Sequence, residues 1–167
     1  MNTTSAVPDL WDIEGLLAEV HAELARRKLP LPAAPREEAP PIPDDITSIS
    51  GERLMELMVT YEGLGAYADS VAAEAALAAD ALTNRLNTRK AELTLELRDE
   101  KRNGRHILNE DIPALITTHP DMRELRHEQL KTEAFRDMAR VLTKGYANRY
   151  ALLSRALSRR TQRGERE

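Results

Sequence analysis

The chain has 167 residues and a net charge of −4, and almost a third of its residues are charged. Because it contains no cysteine, disulfides, thiolate metal ligands and cysteine nucleophiles are excluded. Ala and Leu supply most of the apolar residues, and the chain has one Phe and one Trp. Because Ala, Leu, Glu and Arg are strong helix formers, this composition predicts an elongated all-α protein and disfavours a sheet.

Charge is distributed unevenly along the chain. Residues 101–167 contain fifteen Lys or Arg against nine Asp or Glu, a net charge of +6, whereas residues 1–50 and 51–100 each carry −5. A segregated basic segment is typical of a surface that binds an anionic polymer or an acidic partner. The alternative, which the sequence leaves open, is that the basic segment neutralises the acidic part of the same chain.

Residues 1–28 are predicted to contain an amphipathic helix that begins near residue 9. Apolar residues recur there at three- and four-residue steps, and a basic cluster at the end suits the C-terminal end of a helix dipole. Two roles are open: a flap that packs on the main body, or a docking peptide that folds in a groove of a partner. The candidate docking residues are Leu10, Trp11, Ile13, Leu17 and Leu24.

Residues 29–49 contain six prolines between Pro30 and Pro43. Proline at this density prevents helix formation and favours extended backbone. We therefore predict a semi-rigid linker that tethers the N-terminal helix at a distance from the rest of the chain.

Residues 50–167 are predicted to form a long antiparallel helical hairpin with coiled-coil-like packing. The first helix covers about residues 51–102 and carries a heptad-like apolar seam whose middle is rich in Ala. A short element at residues 109–118 follows, and a basic helix then continues to about Arg160. Two long helices joined by a short connection most simply fold back on each other.

The thin apolar seam of this hairpin also predicts self-association. Because one hairpin buries little apolar surface, we expect further copies to complete the seam as a homo-oligomer. The residues predicted at the interface between copies are Leu82, Leu86, Leu93, Phe135, Met138, Leu142, Tyr146 and Leu153.

Catalytic and metal-binding patterns are not found in the sequence. Four histidines lie in three separate segments without metal-ligand spacing, and paired carboxylates lie in the proline-rich segment. There is no glycine-rich phosphate loop. We therefore expect a non-enzymatic protein without a cofactor. The apolar runs are too short to span a bilayer, which favours the absence of a membrane partner. Residues 1–7 lack the features of a signal peptide, which favours a cytoplasmic location.

Basic residues form two groups that favour nucleic-acid binding. One lies toward the end of the first long helix and the turn after it, and the other lies along the basic helix, with Tyr146 and Tyr150 among its members. Arg with occasional tyrosines, and no base-reading motif, suits sequence-independent binding of single strands by phosphate contact and stacking. The candidate nucleic-acid-binding residues are Arg89, Lys90, Arg98, Lys101, Arg102, Arg105, Arg149, Tyr150, Arg159 and Arg160.

The layout of residues 51–160 also resembles a known family. In the stretch DIPALITTHPDMRELRHEQLKTEAFRDMARVLTKGYANRYALLSRALSRR, a short element with an acidic residue and a turn precedes a long helix. That helix has a late Asn-Arg position and a basic tail, and another long helix precedes the whole stretch. This pattern resembles phage recombination mediators of the UvsY type.

The resemblance implies a ring-shaped homo-oligomer that binds single-stranded DNA in the cytoplasm of an infected bacterial host. Such a mediator helps a strand-exchange recombinase to displace single-strand-binding protein, so both proteins are implied partners. The family's DNA contacts lie near the end of the first long helix and in the next turn. The matching basic residues here are Arg98, Lys101, Arg102 and Arg105.

A phage structural or assembly protein, such as a scaffold, chaperone or connector accessory, is the alternative function. Long Ala-rich helices and a tethered peptide suit that role equally well, and it involves no nucleic acid.

Overall fold

The computed structural model describes residues 12–164, and all regular structure in that range is helical. The helices are α1 (Ile13–Arg26), α2 (Gly51–Arg102), α3 (Ile112–Thr118) and α4 (Pro120–Gly164), with a 3-10 turn at Ile46–Ser48. The two long helices, α2 and α4, contain 52 and 45 residues and pack together. The all-α prediction is confirmed. Leu10 and Trp11, two of the predicted docking residues, lie outside the described residues.

The chain divides into two compact units that each contain part of both long helices. Within the described range, unit 1 comprises residues 12–23 and 74–135, and unit 2 comprises residues 24–73 and 136–164. The sequence predicted a division along the chain at residues 28 and 49. That division stays a prediction. Within the described range each compact unit takes a segment from both long helices, because α2 and α4 pack side by side.

In both units α2 and α4 run antiparallel. In unit 2 the Cβ position that Gly65 lacks is 3.7 Å from Cβ of Tyr146, and that of Gly51 is 3.8 Å from Leu157. In unit 1 the side-chain amide of Gln129 donates a hydrogen bond of 2.9 Å to the Thr83 hydroxyl, and farther along α2 Nη2 of Arg89 lies 2.8 Å from Oδ2 of Asp121. Residue numbers therefore fall along α4 as they rise along α2.

Each unit has its own apolar cluster on this seam. The cluster of unit 1 draws on α2, α3, α4 and the loop before α3, and it comprises Leu82, Leu86, Leu93, Ile107, Ile112, Ile116, Met122 and Leu125. The cluster of unit 2 comprises Ile49, Leu54, Leu57, Tyr61, Leu64 and Leu153. Small residues continue the seam of α2 between these clusters: Ala68 and Ala72 are buried in unit 2, and Ala75 and Ala79 in unit 1. Their small side chains permit close approach of the neighbouring helix.

Part of the predicted interface between copies is buried inside one chain. Leu82, Leu86 and Leu93 belong to the unit 1 cluster, and Leu153 belongs to the unit 2 cluster, against which Tyr146 packs. We correct these five assignments, because the heptad pattern marks residues that pack between helices of the same chain.

The other three predicted interface residues are solvent-exposed. The exposed fractions of Phe135, Met138 and Leu142 are 57, 63 and 50%. Their role in an interface between copies stays a prediction.

The C-terminal half of the proline-rich segment is packed, which the linker prediction did not foresee. Residues 39–49, here called the strap, contribute Ala39, Ile42 and Ile46 to contacts with the unit 2 cluster, and Ile49 is buried in it. The Tyr61 hydroxyl donates a hydrogen bond to the carbonyl oxygen of a strap proline. Isoleucines between and after the last prolines therefore hold the strap on α2 and α4.

Asp45 stabilises the 3-10 turn of the strap. Its carboxylate accepts hydrogen bonds from the Thr47 hydroxyl at 2.6 Å and the Thr47 backbone N–H at 2.9 Å. These bonds favour the ionised carboxylate and lower the pKa of Asp45 below its ordinary value. The Arg160 guanidinium donates a hydrogen bond to the Thr47 carbonyl oxygen, which ties the turn to α4.

Residues 13–23 of α1 belong to unit 1 and pack on the rest of it. Ile13 packs against the unit 1 cluster, and Nε2 of His21 lies 3.0 Å from Oε1 of Glu74 on α2. Leu17 and Leu24 are half-buried, and no residue of α1 is fully buried. The packing role therefore describes α1 in this structure, and the docking role stays a prediction.

Leu153 tests the core of unit 2. Its side chain is fully buried, so Leu153→Ala leaves a cavity and is expected to lower the free energy of unfolding by about 2–5 kcal/mol. Leu95, which is 62% exposed, provides the matched control, and Leu95→Ala is expected to change it by less than about 0.5 kcal/mol. Urea denaturation followed by circular dichroism measures both variants. Equal losses would contradict the placement of Leu153.

Candidate nucleic-acid interface

A basic groove lies in unit 1 between the C-terminal part of α2 and α3. Its volume is about 920 Å³. Side chains of α2 form one wall, side chains of α3 form another, and the loop between the helices contributes one residue. The lining residues are Lys90, Thr94, Arg98, Lys101, Arg102, Asn109, Ile112, Pro113 and Ile116.

Four cations line the α2 wall of this groove because of their helical spacing. Lys90, Arg98 and Arg102 are separated by eight and four residues, and Lys101 lies beside Arg102, so all four fall on one side of α2. Within the described lining no residue is acidic. The α2 wall of the groove is therefore positively charged.

The local contacts of Lys101 and Arg102 in the basic groove are weak. Nζ of Lys101 donates a hydrogen bond of 2.9 Å to the side-chain oxygen of Asn109. Nη1 of Arg102 lies 3.6 Å from Oδ1 of Asp99, but both side chains are more than two-thirds exposed, and such a pair contributes little. Lys90 and Arg98 are exposed, and the described part of the chain offers neither of them an ion-pair partner. All four remain accessible to an anion.

Arg89 was predicted to bind nucleic acid, but its guanidinium is bound to carboxylates outside the basic groove. It lies 2.8 Å from Asp121 of α4, 2.9 Å from Glu96 and 3.2 Å from Glu92. Partial burial by itself would lower the pKa of Arg89, but hydrogen bonds to Glu96, Asp121 and Glu92 outweigh it and raise that pKa above its ordinary value. We correct this assignment: Arg89 links α2 to α4.

The surroundings of Arg89 are acidic. They form a second groove of unit 1, with a volume of about 420 Å³. Its lining residues are Arg85, Thr88, Arg89, Glu92, Asp121, Glu124, Leu125 and Glu128. An anionic polymer would be repelled from this side of α2.

Arg105 lies outside the lining of the basic groove. It follows Gly104, whose φ of 95° ends α2 in a conformation that favours glycine. Its guanidinium forms an ion pair with Glu100. The structure therefore brings together three of the four basic residues that the family resemblance indicated, with Lys90 as the fourth member of the groove.

In unit 2, three of the four predicted nucleic-acid residues have structural contacts. The guanidinium carbon of Arg149 is 5.5 Å from the ring centre of Tyr61 and 6.0 Å from that of Tyr146, which places it for cation–π attraction. Tyr150 is half-buried against the unit 2 cluster, and its role in base stacking stays a prediction. Arg160 bonds the strap, and Arg159 is exposed.

Neutralisation of acidic α2 by basic α4 was the alternative explanation for the charge pattern. In unit 1 an ion pair joins Arg89 of α2 to Asp121 of α4. Its base is on the acidic helix and its acid is on the basic helix, the reverse of what neutralisation requires. On α4, Arg136 and Arg140 lie 2.9 and 4.0 Å from Asp137 of the same helix. These contacts do not follow the neutralisation pattern.

Sequence reasoning did not identify the α3 wall of the basic groove. Ile112 and Ile116 lie within the short element predicted at residues 109–118, but no local pattern relates them to Lys90 or Arg98. Pro113 also lines the groove and is exposed. Only the return of the chain through the loop before α3 brings these residues beside α2.

Residues 12–164 contain no helix with a stretch long and apolar enough to cross a membrane. Within the same range, no group of three His, Asp or Glu side chains is arranged to hold a metal ion. In comparisons with known proteins, no family model, no curated protein and no solved structure matches this chain.

Substitution of Arg89 and Lys90 should separate a structural cation from a groove cation. Arg89→Gln removes the link to Asp121, leaves three carboxylates facing one another, and is expected to lower the free energy of unfolding by about 1 kcal/mol, less at high salt. Lys90→Gln is expected to change it by less than about 0.5 kcal/mol. Urea denaturation at low and high salt measures both. A larger loss for Lys90→Gln would contradict the assigned roles.

Proposed function

We propose that this protein binds single-stranded nucleic acid without sequence preference, with the basic groove as its binding site. The observation that carries the proposal is the alignment of four accessible cations on one wall of a groove without acidic lining. Lys and Arg side chains neutralise phosphates and release bound counterions, and this term supplies most of the affinity of sequence-independent binding.

The other walls of the groove favour a single strand over a duplex. Pro113 is exposed on the α3 wall, with the buried Ile112 and Ile116 behind it, and offers an apolar surface to bases or sugars, whereas the bases of a duplex are stacked inside it. Asn109 is the lining amide, and its oxygen accepts a hydrogen bond from Lys101. With its amide engaged in this way, the groove offers little for reading base edges, so we expect no sequence preference.

We further propose that the protein acts as a recombination mediator and helps to load a strand-exchange recombinase in place of single-strand-binding protein. The resemblance of residues 51–160 to mediators of the UvsY type supports this role. Three of the basic residues indicated by that resemblance, Arg98, Lys101 and Arg102, line one groove. The mediator would act on DNA in the cytoplasm of an infected bacterial host, with the recombinase or the single-strand-binding protein as protein partner.

Self-association is part of this proposal. One groove makes few phosphate contacts, so several copies on one strand would raise the overall affinity through effective concentration. Exposed apolar side chains such as Phe135, Met138 and Leu142 support a homo-oligomer, which we expect to be a ring.

Charge reversal in the groove tests nucleic-acid binding. Arg98→Glu combined with Arg102→Glu should weaken binding of a labelled single-stranded oligonucleotide at least about 10-fold at low salt, because phosphate contacts are lost and repulsion is added. Fluorescence anisotropy titrations at several salt concentrations measure the effect. The unchanged protein should lose affinity steeply as salt rises, and the variant should show a shallower slope.

The matched control is Arg126→Glu combined with Arg123→Glu. Both residues are exposed on the unit 1 part of α4 and outside the groove lining, so this variant makes the same change in net charge. It should retain most of the affinity. Equal loss in both variants would show that net charge, and not the groove, determines binding, and absence of binding at low salt would refute the proposal.

A loading assay tests the mediator role separately. A mediator should speed recombinase filament formation on single strands already coated with single-strand-binding protein, and the groove variant should not. Oligonucleotide binding without any acceleration would retain the binding site and refute the mediator role. The structural or assembly alternative predicts neither activity, together with co-purification of the chain with capsid or tail components.

A further inference from the structure

The unit 2 part of α4 carries a second apolar stripe on the side that is not packed on α2. Met138, Val141, Leu142 and Leu152 lie on it, and their exposed fractions are 63, 64, 50 and 46%. The spacing of these residues places them on adjacent rows of the helix surface. Gly145 interrupts the stripe, and nothing lies within 4 Å of its missing Cβ, so another helix could approach closely there.

The same surface of α4 is strongly basic. From Met138 to Gln162 the helix contains no Asp or Glu. Lys144, Arg155 and Arg159 are exposed beside the apolar stripe. We call this surface the donor face; it combines exposed apolar side chains with positive charge.

The unit 2 part of α2 presents a surface of complementary composition. Met55 and Val59 are 52 and 70% exposed, and the missing Cβ of Gly63 again meets nothing within 4 Å. Val59, Gly63 and the exposed Ala66 also line a groove of about 620 Å³ against the proline-rich segment, with Pro35 and Pro40 among its other residues. We call this surface the acceptor face.

The acceptor face is acidic where the donor face is basic. Residues 51–73 contain four acids and one base. Three of the acids, Glu52, Glu56 and Glu62, are exposed, and the base, Arg53, is 2.7 Å from Glu56. The two faces are also similar in length: at 1.5 Å per residue, Met138 to Leu152 spans about 21 Å and Met55 to Ala66 about 17 Å.

We infer that the donor face of one copy binds the acceptor face of a second copy of this chain. The inference rests on the self-association included in the proposed function and specifies its surfaces. In one chain α2 and α4 pack together through their other sides, so neither face can satisfy the other within the same unit. Opposite charge favours this pairing and disfavours donor with donor or acceptor with acceptor. Two different patches that meet head to tail generate a closed ring or a filament.

Complementation between two variants tests this arrangement. Met138→Glu with Val141→Glu should disable the donor face, and Val59→Glu should disable the acceptor face. Each variant alone should be monomeric by light scattering at low salt, where the unchanged protein is larger. Their mixture should form a species of two copies and no larger, because one intact donor face and one intact acceptor face remain.

Ala147→Glu is the matched control. Ala147 is exposed on α4 but lies outside the rows of the donor face, so this variant should keep the mass of the unchanged protein. Circular dichroism should report equal helix content for all variants. Variants that retain the mass of the unchanged protein, or a mixture that stays monomeric, would overturn the pairing of these two faces.

The outcome is separable from that of the proposed nucleic-acid binding. A monomeric unchanged protein that still binds oligonucleotides would refute self-association and leave the basic groove supported. An oligomer that does not bind oligonucleotides would support self-association and refute the basic groove as a binding site.

Discussion

The antiparallel packing of α2 on α4 is the constraint on which the rest of the structure depends. Neither long helix is apolar on all sides, so each needs the partner helix to bury its main apolar row. Leucines fill the seam in both units, whereas the alanines from Ala68 to Ala79 continue it with little side-chain volume. Because one row of each helix is used, the remaining rows are available for charge and for other contacts.

The rotation of an α-helix decides which charges remain available for binding. Arg89 and Lys90 are neighbours in the chain, but successive residues of a helix point about 100° apart. Arg89 therefore reaches the carboxylates of Glu92, Glu96 and Asp121, while Lys90 lines the basic groove. The same rotation leaves Met138 and Val141 of α4 exposed while Leu153 is buried. The number of charged residues along the chain cannot show which of them are available for binding.

Charge that is segregated along the sequence becomes segregated between surfaces in the fold. In unit 2 the acidic exposed side of α2 and the basic exposed side of α4 belong to helices that contact each other through their apolar rows. Within the described part of unit 2, Arg53 pairs with Glu56 and Arg140 with Asp137 of their own helices, so both charged sides face solvent, which is the physical reason to expect partners from outside the chain. In unit 1 the basic and acidic grooves use different side chains of α2, so a polyanion is attracted to one groove and repelled from the other.

The sequence by itself determined the helical class, the extents of α2 and α4 to within a few residues, the Ala-rich seam, and the candidacy of Arg98, Lys101 and Arg102. These features follow from local propensity, from periodicity and from turn residues such as Gly104 and Pro120. Only the tertiary structure decided that Leu82, Leu86, Leu93 and Leu153 are buried within one chain. A heptad pattern is the same whether the partner helix belongs to the same chain or to another copy. It also decided that residues 39–49 pack as a strap and that Ile112 and Ile116 lie beside the cations of α2. Those contacts join residues that are distant along the chain, and no local spacing encodes them.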